Sequence, residues 1–158
     1  MIEARLLTKR YGTLLAVDQL SFQVEPGTVL GFLGPNGAGK STTMKMLTGF
    51  LTPSSGSAEI FGHDIGRDSL AARRMMGYLP EGAPLYGELS VARFLRFVAE
   101  ARGLRGQEAG QAIDRAVERL SLEEVMGQTI ETLSKGFKRR VGLAQAILHD
   151  PPALILDE

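Results

Sequence analysis

A chain of 158 residues, 44% apolar and 23% charged, has the composition of one ordinary globular domain and not that of a disordered segment. Lys plus Arg and Asp plus Glu balance at 18 each, so no global field favours DNA, RNA or an anionic membrane surface. The absence of cysteine excludes disulfides and thiolate metal sites and suits a reducing cytoplasm.

Met1-Ile2-Glu3-Ala4-Arg5 lacks the apolar core of a signal peptide, and no apolar run approaches the ~20 residues that span a bilayer. Any membrane role must therefore run through a partner. Residues 2–8 and 20–24 read as strands, the second with Leu20, Phe22 and Val24 alternating against Ser21 and Gln23. Pro26-Gly27 turns the chain into an apolar run, residues 28–33, of strand length. A helix is expected over 41–50, with Met44 and Leu47 turned inward and Met46 a further candidate. Residues 52–56 form a loop, 57–61 a strand and 62–64 a turn. Asp68 or Ser69 can cap a short basic helix ending at Arg74, and 76–79 returns as a strand.

The character then changes. Ser90 is a candidate N-cap for a helix over 91–102, stopped by Gly103, with Val91, Phe94, Leu95, Val98 and Ala101 on one face. Residues 107–120 form a second helix, on which Ile113, Ala116, Val117 and Leu120 keep the helical spacing. A third covers 136–149 and stops before Asp150-Pro151-Pro152. Residues 80–135 are thus a helical insert between strand-rich parts. His63 and His149 have no companion residues in the sequence that suggest chemistry, and both read as structural.

The most informative stretch is Gly34-Pro35-Asn36-Gly37-Ala38-Gly39-Lys40-Ser41-Thr42, which fits the phosphate-loop pattern G-x-x-x-x-G-K-[ST]. Glycines let successive backbone N–H groups curl around a phosphate chain where side chains would obstruct it. The helix that follows aims its unpaired N–H groups and positive dipole end at the same phosphates. Lys40 is expected to reach the β- and γ-phosphates, and the Ser41 hydroxyl to ligate Mg²⁺. A glycine turn that merely caps a helix would not need Lys-Ser-Thr in register. At the other end, Ala153-Leu154-Ile155-Leu156-Asp157-Glu158 is a buried-strand run closing on two carboxylates. Behind a phosphate loop, Asp157 is placed to act through the metal or its water, and Glu158 to serve as general base for water.

Leu133-Ser134-Lys135-Gly136-Phe137 opens the third helix. Taken with the two motifs above, it resembles the signature of the ABC transporter ATPases, usually Leu-Ser-Gly-Gly-Gln. The resemblance covers the whole chain. Tyr11-Gly12 looks like the aromatic loop that stacks on adenine, residues 34–42 like Walker A, Tyr78-Leu79-Pro80-Glu81 like the Q-loop, and 154–158 like Walker B. The wording of these motifs is most similar to ATP-binding subunits of bacterial exporters, the branch with drug, antibiotic and gliding-motility systems.

This resemblance implies an α/β P-loop NTPase core, an N-terminal antiparallel β subdomain and an inserted α-helical subdomain. It makes 1–79 with 151–158 the nucleotide-binding core and 80–150 the helical subdomain with the signature helix. It implies ATP and Mg²⁺ as ligands, with Glu81 joining Ser41 and Asp157 around the metal. It also implies a head-to-tail dimer with a second nucleotide-binding subunit, in which Ser134 and Gly136 face the partner's ATP. A separate transmembrane permease would hold the protein at the inner face of the cell membrane, with no direct nucleic-acid contact.

Three positions depart from the pattern. Lys135 replaces the first signature glycine, Phe137 the glutamine, and Glu81 the Q-loop glutamine. The sequence also stops at Walker B, before the D-loop, a further core strand and the switch histidine. The expected result is a fragment of a longer protein, its sheet open between the phosphate-loop strand and the Walker B strand, unstable and weakly active or inactive alone. The alternative is a soluble ABC ATPase acting on DNA or ribosomes. The chromosome and repair types carry a long coiled coil between Walker A and the signature, and no heptad run lies there.

Overall fold

The structure is a computed structural model describing residues 1–82 and 85–157. Two compact units emerge, Met1–Met76 together with Asp157, and Gly77–Leu156.

In the first unit, β1 (Ile2–Tyr11) and β2 (Leu14–Val24) form a hairpin. Its turn is Gly12-Thr13, with Gly12 in the left-handed region at φ 57°. β3 (Ser55–Ile60) and the two-residue β4 (His63–Asp64) complete an antiparallel sheet in the order β2-β1-β3-β4. β1 and β2 both run past the expected strands, to Tyr11 and back to Leu14, because each supplies the other's hydrogen-bond partners. Residues 63–64 join the sheet for the same reason, where a plain turn was expected. On the outer face Glu3 and Glu59 are register partners, and Arg5 bridges them at 2.7 Å and 3.3 Å. Its hydrogen bond holds the Glu3 carboxyl below the ordinary carboxylate range.

α1 (Lys40–Leu47) lies against this sheet through Thr43, Met46 and Leu47, all buried. Met44 is only half-buried. α2 (Ser69–Arg74) is the short basic helix. Asp68 occupies its N-cap position without a side-chain cap bond; its carboxylate pairs instead with His63 Nδ1 at 3.0 Å. His63 therefore has a partner that the sequence did not reveal.

The expected strand over 28–33 does not form. A strand exists only where a neighbour receives its N–H and C=O groups, and no strand among the described residues pairs with it. Val29 is 99% and Leu33 96% exposed, although Phe32 packs edge-on against Phe22 at 5.2 Å.

The second unit holds β5 (Met76–Leu79), from Gly77 onward, and β6 (Ala153–Leu156), which among the described residues pair only with each other. The core sheet is thus incomplete, as the sequence implied. Gly77 is required there, because a Cβ would run into the Ala146 backbone carbonyl. Three helices pack together: α3 (Val91–Ala101), α4 (Gly106–Leu120) and α5 (Lys135–Ile147). Phe94, Leu95, Ile113, Val117, Leu122, Ile130, Val141 and Leu148 are all in their shared core. The inward face of α3 ends on Ala99, fully buried, while Ala101 is exposed. Ser90 caps α3 by accepting from Arg93 N at 3.3 Å. Among the described residues no helix is long and apolar enough to cross a membrane.

Candidate functional site

The loop 34–39 winds before α1 with Gly37 and Gly39 left-handed at φ 84° and 86°. Gly39 is the N-cap, and its backbone carbonyl accepts from both Thr43 N and Thr43 Oγ1, at 2.8 Å and 2.9 Å. No side chain fits at Gly39, since a Cβ would lie 2.5 Å from the Ala16 carbonyl of β2. That close approach presses the loop onto the hairpin. α1 has neither a side-chain cap nor an acidic residue in its first turn, so its opening N–H groups and dipole remain available to an anion.

Lys40 folds back along the loop, its Nζ donating to the carbonyls of Gly34 at 2.7 Å and Pro35 at 2.8 Å. The ammonium is thus held against the loop by main-chain oxygens that a phosphate can replace or join. Pro35, Asn36 and Ala38 are exposed, Ala38 N closing the turn onto Pro35 O at 3.2 Å; Thr42 is half-buried.

Ser41 Oγ donates to Asp157 Oδ1 at 3.1 Å, across 116 positions of sequence. Asp157 is 9% exposed. A hydroxyl and a carboxylate side by side form a small set of hard oxygen donors. Mg²⁺ takes such a set, keeping waters and phosphate oxygens as its remaining ligands. Glu81 is exposed in the turn after β5, in the second unit. Among the described residues no group of three His, Cys, Asp or Glu gathers into a metal cluster. Glu158, expected as general base, lies outside the described residues.

Tyr11 ends β1 and is 48% exposed. Lys9, two residues earlier on the same strand face, sets its ammonium 5.3 Å from that ring's centroid and donates to Thr52 O at 2.7 Å. Lys9 was not singled out by the sequence reading. The i, i+2 spacing from Tyr11 on a strand was the available signal.

Ser134 is the N-cap of α5, accepting from Phe137 N at 3.3 Å. Ser134, Lys135 and Gly136 are all exposed. Phe137 packs half-buried against the helical core, under the Arg140 guanidinium at 4.8 Å. Lys138 is tied to Glu131 O at 2.8 Å.

A glycine loop opening a helix, a lysine over that loop and a serine–aspartate pair from distant motifs define an α/β phosphate-loop nucleotide-binding fold. Residues 17–158 match the family described as ABC transporter, and the chain belongs to that family. It is 43% identical over its whole length to the probable multidrug ABC transporter ATP-binding protein YbhF of Escherichia coli K12, spanning 27% of that protein. Among solved structures, one described as the ATP binding subunit of an ABC transporter superposes with a TM-score of 0.90 at 32% identity, over 100% of this chain and 66% of that one. CbiO1 from Clostridium perfringens, described as part of the ABC transporter complex cbiONQ, gives 0.84 at 28% identity, over 99% and 64%. The chain spans about half the length, or less, of the curated relatives it matches.

Proposed function

We propose that this chain is the nucleotide-binding part of the ATPase motor of an ABC exporter, a subunit that binds and hydrolyses ATP and drives a separate membrane permease. The observation that carries the reading is the Ser41–Asp157 hydrogen bond, which joins the two phosphate-chemistry motifs at one point. Support for the exporter class comes from a relative described as a multidrug transporter ATP-binding protein. Support for a permease partner comes from a structural relative described as part of a transporter complex.

The loop amides of 34–39 and the start of α1 cradle the triphosphate. Lys40 turns from the Gly34 and Pro35 carbonyls toward the β- and γ-phosphates, where its charge offsets the negative charge that builds in the transition state. Ser41 and Asp157 would hold Mg²⁺; when bound, the ion neutralises charge on the phosphate oxygens. Glu158 accepts the proton as water adds to the γ-phosphorus and the bond to ADP breaks. Ser134 and Gly136, at the open N-terminus of α5, serve the nucleotide of a second subunit in a head-to-tail dimer. The protein then sits on the cytoplasmic face of the membrane through its permease.

In the full-length protein, Lys40→Ala should lower Mg·ATP affinity at least tenfold by equilibrium binding; unchanged affinity refutes the reading. A second reading, a soluble ATPase on ribosomes or DNA, has no observation in its favour here.

A further inference from the structure

We infer that Lys9 is a positioning residue for the base of the nucleotide: it fixes the Tyr11 ring with one face covered and the other presented to adenine. This rests on the reading of Tyr11 as the base platform.

Lys9 and Tyr11 share one face of β1, and the Lys9 ammonium lies 5.3 Å over the ring. A cation at that distance is attracted to the π face. A base can then stack only on the opposite side, and Tyr11, a residue 48% exposed, is open to solvent. The same ammonium donates to Thr52 O at 2.7 Å, in the loop that follows α1. Two more bonds stitch that loop to the strand, Ser54 N to Thr8 O at 2.8 Å and Arg10 N to Ser54 Oγ at 3.0 Å. Phe50 N and Leu51 N both bond back to Lys45 O in α1, at 2.9 Å and 3.0 Å. Lys9 therefore links the ring to the C-terminal end of the helix whose N-terminus faces the triphosphate. It sets where the base platform stands relative to the phosphate loop. By drawing ring electron density to its own side, it also makes the open face a better partner for an electron-rich purine.

The test is equilibrium binding to the full-length protein, comparing Mg·ATP with Mg·tripolyphosphate, which has the phosphates and no base. Lys9→Met should weaken ATP about fivefold and leave tripolyphosphate unchanged, and Lys9→Arg should restore ATP binding to within about twofold. Equal losses for both ligands would make Lys9 a general scaffold residue and overturn the inference, as would no loss for either. Tyr11→Leu separates the two levels of the argument. If it too leaves the ATP-to-tripolyphosphate ratio unchanged, base stacking on Tyr11 is wrong and the role of Lys9 falls with it. If Tyr11→Leu lowers that ratio while Lys9→Met does not, only the role of Lys9 is wrong.

Discussion

At Gly39 two separate requirements meet. Its φ of 86° is accessible to glycine at little cost, and the Ala16 carbonyl occupies the space a Cβ would need. Gly39→Ala should therefore destabilise the folded protein by about 1–3 kcal/mol in denaturant unfolding and abolish nucleotide binding by displacing the loop from β2. Gly37 is also left-handed, but nothing lies within 4 Å of its absent Cβ, so Gly37→Ala should be strained without clashing and the milder of the two. Glu81 stands where a neutral glutamine is usual. On the proposal that Glu81 senses the metal–nucleotide, Glu81→Gln in the full-length protein should change the Mg²⁺ dependence of ATP turnover. An unchanged titration would leave Glu81 an ordinary exposed carboxylate.

Among the elements, α5 shows how a local rule and a proposed interface coincide. Ser134 caps the helix and is exposed together with Gly136. Lys135, Lys138, Arg139 and Arg140 crowd the positive end of the helix dipole, where acidic residues would be favoured. The cap therefore matters more here than usual. Ser134→Ala should cost about 1 kcal/mol by thermal unfolding, as should the equivalent Ser90→Ala on α3. Only the first should also lower ATP turnover; equal turnover in the two variants would separate α5 from the reaction. At the other end of α5, the Ala146 carbonyl closes on Gly77 of β5. Gly77→Ala should force β5 and α5 apart and lower the melting temperature of the full-length protein.

For the whole molecule, the proposed ATP cycle sets the expectation. In the proposed head-to-tail dimer, removing the general base should stop the cycle with ATP held. Full-length Glu158→Gln should bind ATP, elute as a dimer in size-exclusion chromatography with Mg·ATP, and hydrolyse at least a hundredfold more slowly than wild type. Wild-type turnover in that variant would remove Glu158 from the role.

The sequence alone determined what depends on neighbours in the chain. The phosphate loop, the Ser90 and Ser134 caps, the apolar faces of α3 and α4 and the strand character of 76–79 and 153–156 were legible there. Each follows from residue spacing, glycine conformation or capping chemistry within a few positions. Contacts between distant residues were decided by tertiary structure. These include the Ser41–Asp157 bond and the tie from Lys9 to Thr52 beside the Tyr11 ring. Residues 28–33 show the difference most clearly. Their apolar composition reads as a strand in any window, yet a strand is a relation between two backbones, and no described segment supplies the second.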